Sequence, residues 1–261
     1  MKIATWNING IKARIEGLKT WLTESAPDVV CLQEIKSVDE GFPADEISAL
    51  GYNVATHGQK GFNGVAILSK MPLDDVRRGL PGDEQDVQSR YIEATVRAGN
   101  RLVRIGGLYL PNGNPIGTEK FSYKLAWMKR LDAHAAELLR HEEPLVLAGD
   151  YNVIATPADA KNPKAWVEDA LFQPESRAAH QRLLNLGLTD AVRACHPDAG
   201  IYTFWDYQAG AFQRDNGIRI DHLLLSSQSA DRMTATGIDK FTRAWEKPSD
   251  HVPVWVTLDL E

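Results

Sequence analysis

Residues 144–152, PLVLAGDYN, decide how this chain is read. The apolar run Leu145–Ala148 has the length and composition of a buried strand, and it stops at Gly149-Asp150-Tyr151-Asn152. In extended backbone, residues i and i+2 face the same way, so the spacing predicts Asp150 and Asn152 side by side at the strand end. A carboxylate beside an amide suits holding a water or a cation against a substrate. A short motif of this kind also arises by chance, so its weight depends on whether the construction recurs.

It does recur. Lys2–Trp6 runs into Asn7, with Asn9 two residues on; Asp28–Gln33 runs into Glu34. Ile105–Leu108 leads to Tyr109 and Asn112, and Gly217–Ile220 leads to Asp221. The last apolar run is preceded by Pro248-Ser249-Asp250-His251. Singly, each of these is a turn former, a cap or an exposed charge. Together they read as one polar edge built from many strand ends.

Between these segments, strand-like and helix-like runs alternate. Strands are expected at Lys2–Asn7, Val29–Glu34, Gly64–Ser69, Tyr91–Val96, Leu102–Leu110, Tyr202–Trp205, Ile218–Ser226 and Val252–Leu258. Helical spacing appears at Ile11, Ile15, Leu18 and Leu22, over Thr118–His141 and over Arg177–Leu186. There is no internal repeat or flexible linker, so a single layered α/β domain over residues 1–261 is expected. The pattern leaves open two sheets or one large mixed sheet.

Composition narrows the class. With 43% hydrophobic and 25% charged residues, the chain has the make-up of a soluble globular protein. No run is long enough for a membrane span and no signal peptide stands at Met1; Cys31 and Cys195 cannot make a disulfide framework, so a cytoplasmic location is expected. A net charge of −6 argues against a passive nucleic-acid binder but not against an enzyme that gathers carboxylates around a cation. Basic groups that can meet phosphate stand at Lys12 and Arg14, Arg77 and Arg78, Lys120, Lys124, Lys129 and Arg130, and Arg214 and Arg219.

One task fits the polar ends. Asn7, Glu34 and Asp250 supply the carboxylate and amide oxygens that a hard cation such as Mg²⁺ takes. The lack of Cys/His clusters at ligand spacing argues against zinc. Phosphodiester hydrolysis needs a deprotonated water and neutralised phosphate oxygens. Asp150 can take the proton, Asn152 can orient the water, and His251 can donate to the phosphate. Asp250 points away from its neighbour His251 in extended chain, which makes Asp221 the expected carboxylate partner of that histidine.

At these positions the chain resembles the exonuclease III family of apurinic/apyrimidinic endonucleases, in the endonuclease/exonuclease/phosphatase superfamily. The segments that carry the resemblance include KIATWNING, PDVVCLQEIK, HGQKGFNGVAILSK, RRGLPGD, GLYLPNG, LVLAGDYN, FWDY, IRIDHLLLS and EKPSDHVPVWV, in family order from residue 2 to residue 256. The segments HGQKGFNGVAILSK and EKPSDHVPVW resemble the bacterial members more closely than the distant phosphatases of the superfamily. The resemblance implies a deoxyribonuclease I-like four-layered α/β sandwich, two mixed sheets packed face to face between helices, with the site at one edge.

It also implies metal ligation by Glu34 with Asn7 and Asp250, and a second position near Asp150, Asn152 and His251. Tyr109 is implied against a phosphate oxygen, with Arg90, Asn112 and Lys120 near the DNA. The implied chemistry is Mg²⁺-dependent, with Mn²⁺ able to substitute: incision of duplex DNA 5′ to abasic sites, 3′→5′ degradation, and removal of 3′-phosphate or phosphoglycolate. Phe204, Trp205 and Ile218 are the expected walls of a small pocket for a baseless sugar. No membrane or obligate protein partner is implied. His222, the second half of another Asp-His pair, is expected to be structural. Two alternatives stand beside this reading: a phosphatase or nuclease of the same fold acting on RNA or another phosphate ester, and a catalytically silent DNA-binding relative.

Overall fold

The computed structural model describes residues 1–260; Glu261, the end of the expected 1–261 domain, lies outside them. Two six-stranded mixed sheets form the centre. The first is built on the parallel pair β1 (Lys2–Asn7) and β2 (Val29–Gln33). It is extended antiparallel by β12 (Val254–Leu258) and β11 (Met233–Ile238) on one side, and by β4 (Val65–Ser69) and β3 (Asn53–His57) on the other. The second sheet is built on the parallel pair β7 (Arg101–Tyr109) and β8 (Leu145–Asp150). Flanking it are β6 (Tyr91–Ala98) and β5 (Asp74–Arg78), and on the other side β10 (Asp221–Leu225) and the two-residue β9 (Thr189–Asp190).

Strand alternation explains the layers. Ile3 of β1, Val29 and Cys31 of β2, Val146 and Ala148 of β8 and Leu223 of β10 meet in the core between the sheets. The intervening residues face outward: Ala4, Val30 and Leu32 under helix α1 (Ile11–Ser25), and Leu145, Leu147 and Leu224 under α3 (Glu119–Leu139) and α4 (Pro174–Asn185). Shorter helices α2 (Ala44–Ser48), α5 (Ala191–Cys195) and α6 (Ser227–Ala230) lie in connections. Central strands are therefore apolar on both faces, as sheets covered on both sides require. Full burial of each Val, Leu or Ile stabilises by about 1.5–3 kcal/mol, and a one-residue slip would turn Val146 and Ala148 out of the inter-sheet core.

This topology accounts for the polar strand ends. Each sheet holds one parallel pair, so β1, β2, β7 and β8 deliver their C-terminal residues to one edge. Antiparallel β10 and β12 start at that edge and deliver the residues that open or precede them. Asn7, Tyr109, Asp150 and Asp221 continue the same alternation as the inter-sheet core, so the polar edge is the mouth of that layer.

Several expectations need correction. Tyr202–Trp205 is not a strand; Phe204 makes only isolated bridges to Ile218 and His251. The strand expected from Ile218 begins at Asp221. Strands β3, β5, β9 and β11 fall outside every strand expected from the pattern; β5 reads DDVRR and is mostly exposed, so it carries no apolar signal. No helix among the described residues is long and apolar enough to cross a membrane.

Candidate active site

Gly149 is where the decisive motif meets the fold. A Cβ there would lie 2.0 Å from the Leu108 carbonyl oxygen, so only glycine lets β8 approach β7 this closely. The next residue, Asp150, is 1% exposed and faces Asp221 across the β8–β10 ladder. The chain then leaves extended geometry: Asn152 has φ 47°. The extended-chain argument for Asp150 and Asn152 therefore does not hold at Asn152. The Asn152 N–H donates to Asp150 Oδ1 (2.9 Å), while its side chain donates to the Leu110 carbonyl (2.8 Å) and accepts from Asn112 (3.3 Å). Glu34 and Asn9 likewise leave β2 and β1 with positive φ, a conformation that costs energy outside glycine and clusters at functional sites.

The expected residues converge, though not all directly. The Asn7 amide lies between two carboxylates, donating to Glu34 Oε1 and Asp150 Oδ2, both at 2.9 Å. Lys36 pairs with the other Glu34 oxygen at 3.0 Å. Asp250 joins at one remove, accepting from Asn9 Nδ2 at 2.9 Å. His251 Nδ1 donates to Asp221 at 2.9 Å, as expected, and its Nε2 lies 3.7 Å from Asp150 Oδ2. Asp221 also accepts the Thr203 hydroxyl at 2.6 Å. The Trp6 indole N–H donates to the His251 carbonyl at 3.1 Å, which fixes the backbone of that histidine.

Charge in this edge is unbalanced. Four carboxylates (Glu34, Asp150, Asp221, Asp250) gather here, and Lys36 and His251 are the cations paired directly with them. Burial pushes the Asp150 carboxyl up to about 7, with the Asp221 charge adding to it and His251 opposing. Burial works against the His251 imidazolium, yet the Asp221 and Asp150 carboxylates outweigh it and raise it to about 10. Burial, with the Glu34 and Asp150 charges, raises the Tyr109 phenol well above its usual range, so it stays protonated and can donate. Asn7 and Lys36 overcome burial and hold Glu34 below the usual glutamate value.

This donor set fits a hard divalent cation: it is oxygen-rich, short of positive charge and free of thiolates. The tightest group of acidic and histidine ligand atoms among the described residues is Asp150, Asp221 and His251, within 4.8 Å of one another. It shares Asp150 and His251 with the second metal position implied by the resemblance, with Asp221 in place of Asn152. A protonated His251 already bonded to Asp221 has no lone pair to offer, so this group works better as a proton relay than as a ligand set.

Arg90 donates to the Tyr109 carbonyl at 3.3 Å, and its guanidinium lies over the Tyr109 ring at 4.8 Å. Lys120 is exposed on the first turn of α3, and Asn112 is exposed beside Asn152. Phe204 and Ile218 do line a pocket, of about 220 Å³, together with Trp166, Arg214 and Asn216. The Phe204 ring lies 5.0 Å from that of His251, which puts the pocket next to the edge. Trp205 is not a wall: it is fully buried, and its indole N–H donates to Asp215 at 3.2 Å. A larger cavity of about 900 Å³, over Glu93 and His134, includes none of these residues, so concavity alone would have missed the site.

Two residues expected as surface cations are buried. Arg219 binds Asp159 (2.7 Å) and Asp190 (2.8 Å). Lys124 donates to the Pro111 and Asn152 carbonyls, and burial lowers its ammonium to about 7. Thr203 and Lys36 escaped the sequence reading, since neither lies at an expected strand end and isolated Thr and Lys carry no pattern.

Comparison with known proteins agrees with this fold. Residues 4–251 match the endonuclease/exonuclease/phosphatase family. The chain is 38% identical to exodeoxyribonuclease III of Haemophilus influenzae, with 98% of each chain covered. Its fold is similar to that of a 3′ phosphatase from Neisseria bound to a product DNA hairpin (39% identity, TM-score 0.95, 99% of each chain). It is equally similar to an AP endonuclease from Archaeoglobus fulgidus (37% identity, TM-score 0.94, 100% of each chain). With two face-to-face mixed sheets and this strand-end site, the chain belongs to the endonuclease/exonuclease/phosphatase family, in the branch of hydrolytic DNA-repair nucleases that holds exonuclease III and the AP endonucleases.

Proposed function

We propose that this protein is a Mg²⁺-dependent DNA-repair phosphodiesterase that incises duplex DNA 5′ to abasic sites, removes 3′ blocking groups and degrades duplex DNA from 3′ ends. The observation that carries the reading is the buried Asp221–His251 pair set 3.7 Å from Asp150. Burial raises the Asp150 carboxyl above the usual aspartate range, which makes it a stronger base toward a proton from water. The water oxygen bonds to phosphorus as the bond from phosphorus to the 3′ oxygen breaks, and the departing 3′ oxygen takes a proton from solvent to become a hydroxyl. His251, kept cationic by Asp221, donates its Nε2–H to a phosphate oxygen, and Tyr109 donates its phenolic proton to another. Asn152 holds Asp150 Oδ1 through its backbone and turns its amide beside Asn112.

Glu34, with Asn7 and Asp250, would hold the cation, which when bound neutralises charge on the phosphate. A second position at Asp150, Asn152 and His251 would require His251 to give up its proton. The pocket of Phe204, Ile218 and Trp166 supports selection of a flipped, baseless sugar, whose extrusion costs less than that of a stacked nucleotide. The Neisseria structure with its DNA hairpin supports DNA as the substrate.

The test is a side-by-side assay on an abasic-site duplex and an intact recessed 3′ end, with Mg²⁺ and with excess chelator. Nicking of the abasic duplex, abolished by the chelator, is expected. Nicking that persists in chelator sinks the metal assignment, and an inert abasic duplex beside a degraded 3′ end sinks the incision.

A further inference from the structure

Lys124 is fully buried in the N-terminal part of α3, and nothing in the reaction above uses it. Its Nζ donates to the carbonyls of Pro111 (3.0 Å) and Asn152 (2.7 Å). Both partners are neutral, and an ammonium buried against neutral carbonyls is a poor way to stabilise a core. The carbonyls belong to the two loops that leave the parallel pair β7 and β8, immediately past Tyr109 and Asp150. Those loops are also laced by Leu110 N–H to the Asp150 carbonyl at 2.9 Å and by the Asn112–Asn152 bond. Asn152 is thus gripped at both ends of its residue: its carbonyl by Lys124, its N–H by the Asp150 carboxylate. Gly113 leaves room for the lysine stem, since a Cβ there would lie 2.6 Å from Lys124 Cδ.

We infer that Lys124 is a positioning residue for phosphodiester hydrolysis, locking the loops after β7 and β8 so that left-handed Asn152 holds the Asp150 carboxylate in its reactive orientation. The inference rests on the role proposed above for Asp150. Displacement of a reacting group by about 1 Å can cost ~10²-fold in rate, so a loosened clamp acts chiefly on kcat.

The experiment is a double-mutant cycle of Lys124→Met and Asp150→Asn on the full chain, read as kcat and KM on an abasic-site duplex. Circular dichroism melts establish that each variant is folded at the assay temperature. Lys124→Met is expected to lower kcat by ~10-fold or more with KM within about threefold. Added to Asp150→Asn, it should lower kcat by no more than about threefold further, because the group it positions is gone. A folded Lys124→Met with native kcat overturns the inference, and so do two losses that simply multiply. Near-native Asp150→Asn would instead refute the role of Asp150. Should Lys124→Met fail to fold, Lys124→Leu, which also removes the donor, takes its place under the same criteria.

Discussion

Two buried clusters of aspartate and histidine lie on opposite faces of β10. Asp221 faces the inter-sheet mouth, where it meets His251 and Asp150. His222, the next residue, faces the helix layer, where it meets Arg219, Asp190 and the rings of Tyr151 and His180. The residue types are nearly the same and the charge balance is not. Behind β10, Asp159 and Asp190 are matched by Arg219 and Arg193. Both carboxyls lie below the usual range: burial opposes this, and Arg219 outweighs it. In front, carboxylates outnumber their paired cations, and Asp150 is pushed up to about 7. A balanced buried cluster holds a loop in place. An unbalanced one at the mouth of a core is ready for a cation and a proton transfer.

The contrast can be broken from either side. The largest effect is expected behind β10. Arg219→Met leaves Asp159 and Asp190 with a lost partner in a dry environment and should destabilise by about 3–5 kcal/mol, read from the denaturant midpoint; a change under about 1 kcal/mol would mean the network is not a structural anchor.

In front of β10 the effect should appear in rate. His251→Ala and Asp150→Asn are each expected to lower kcat by at least ~10²-fold while the fold survives. Near-native turnover in either variant removes that residue from the reaction.

The two histidine environments should also pull stability in opposite directions with pH. An unfolded histidine titrates near 6.5. Burial, helped by His222, lowers His180 to about 3. Between 6.5 and 3 the unfolded chain therefore binds more protons, and stability falls as pH falls through that window. His251 is raised to about 10. Its contribution is fully present below 6.5 and is lost as pH rises toward 10. In metal-free protein, His180→Leu should flatten the acid limb of a stability–pH curve and His251→Gln the alkaline limb. Unchanged limbs would contradict the contrast in environments.

The smallest effect is expected from His222→Leu, with kcat within about threefold of native because its ring touches no reacting group. A kcat loss comparable to that of His251→Ala, in a folded protein, would erase the distinction between the two faces.

Much of the site was legible because it is written at strand ends. LVLAGDYN, KIATWN and VVCLQE announce buried strands by their apolar runs and then break into Asn, Asp or Glu. Adjacent residues in extended chain point apart, and that rule alone separated Asp221 from His222 and Asp250 from His251. The same rule does not apply at Asn152, where φ turns positive in a residue type that tolerates it and no local signal marks the turn. It also had no access to β5, whose exposed charged residues make it a strand only by pairing with a neighbour. Trp205 was misread as a pocket wall because an aromatic beside Phe204 looks the same whether it lines a cavity or fills a core.

The sequence by itself determined the class of fold, the residues that could do chemistry, and which histidine would pair with which carboxylate. All of these follow from local periodicity and from the intrinsic acid–base and ligand properties of the side chains. Tertiary structure alone decided the charge balance. Arg219 and Lys124 look like surface cations in the chain, and only packing takes one to Asp159 and Asp190 and the other beneath the loops of Tyr109 and Asp150. Burial and partner geometry depend on residues far apart in sequence, and they set which carboxylates are matched and which are left for a cation and a water.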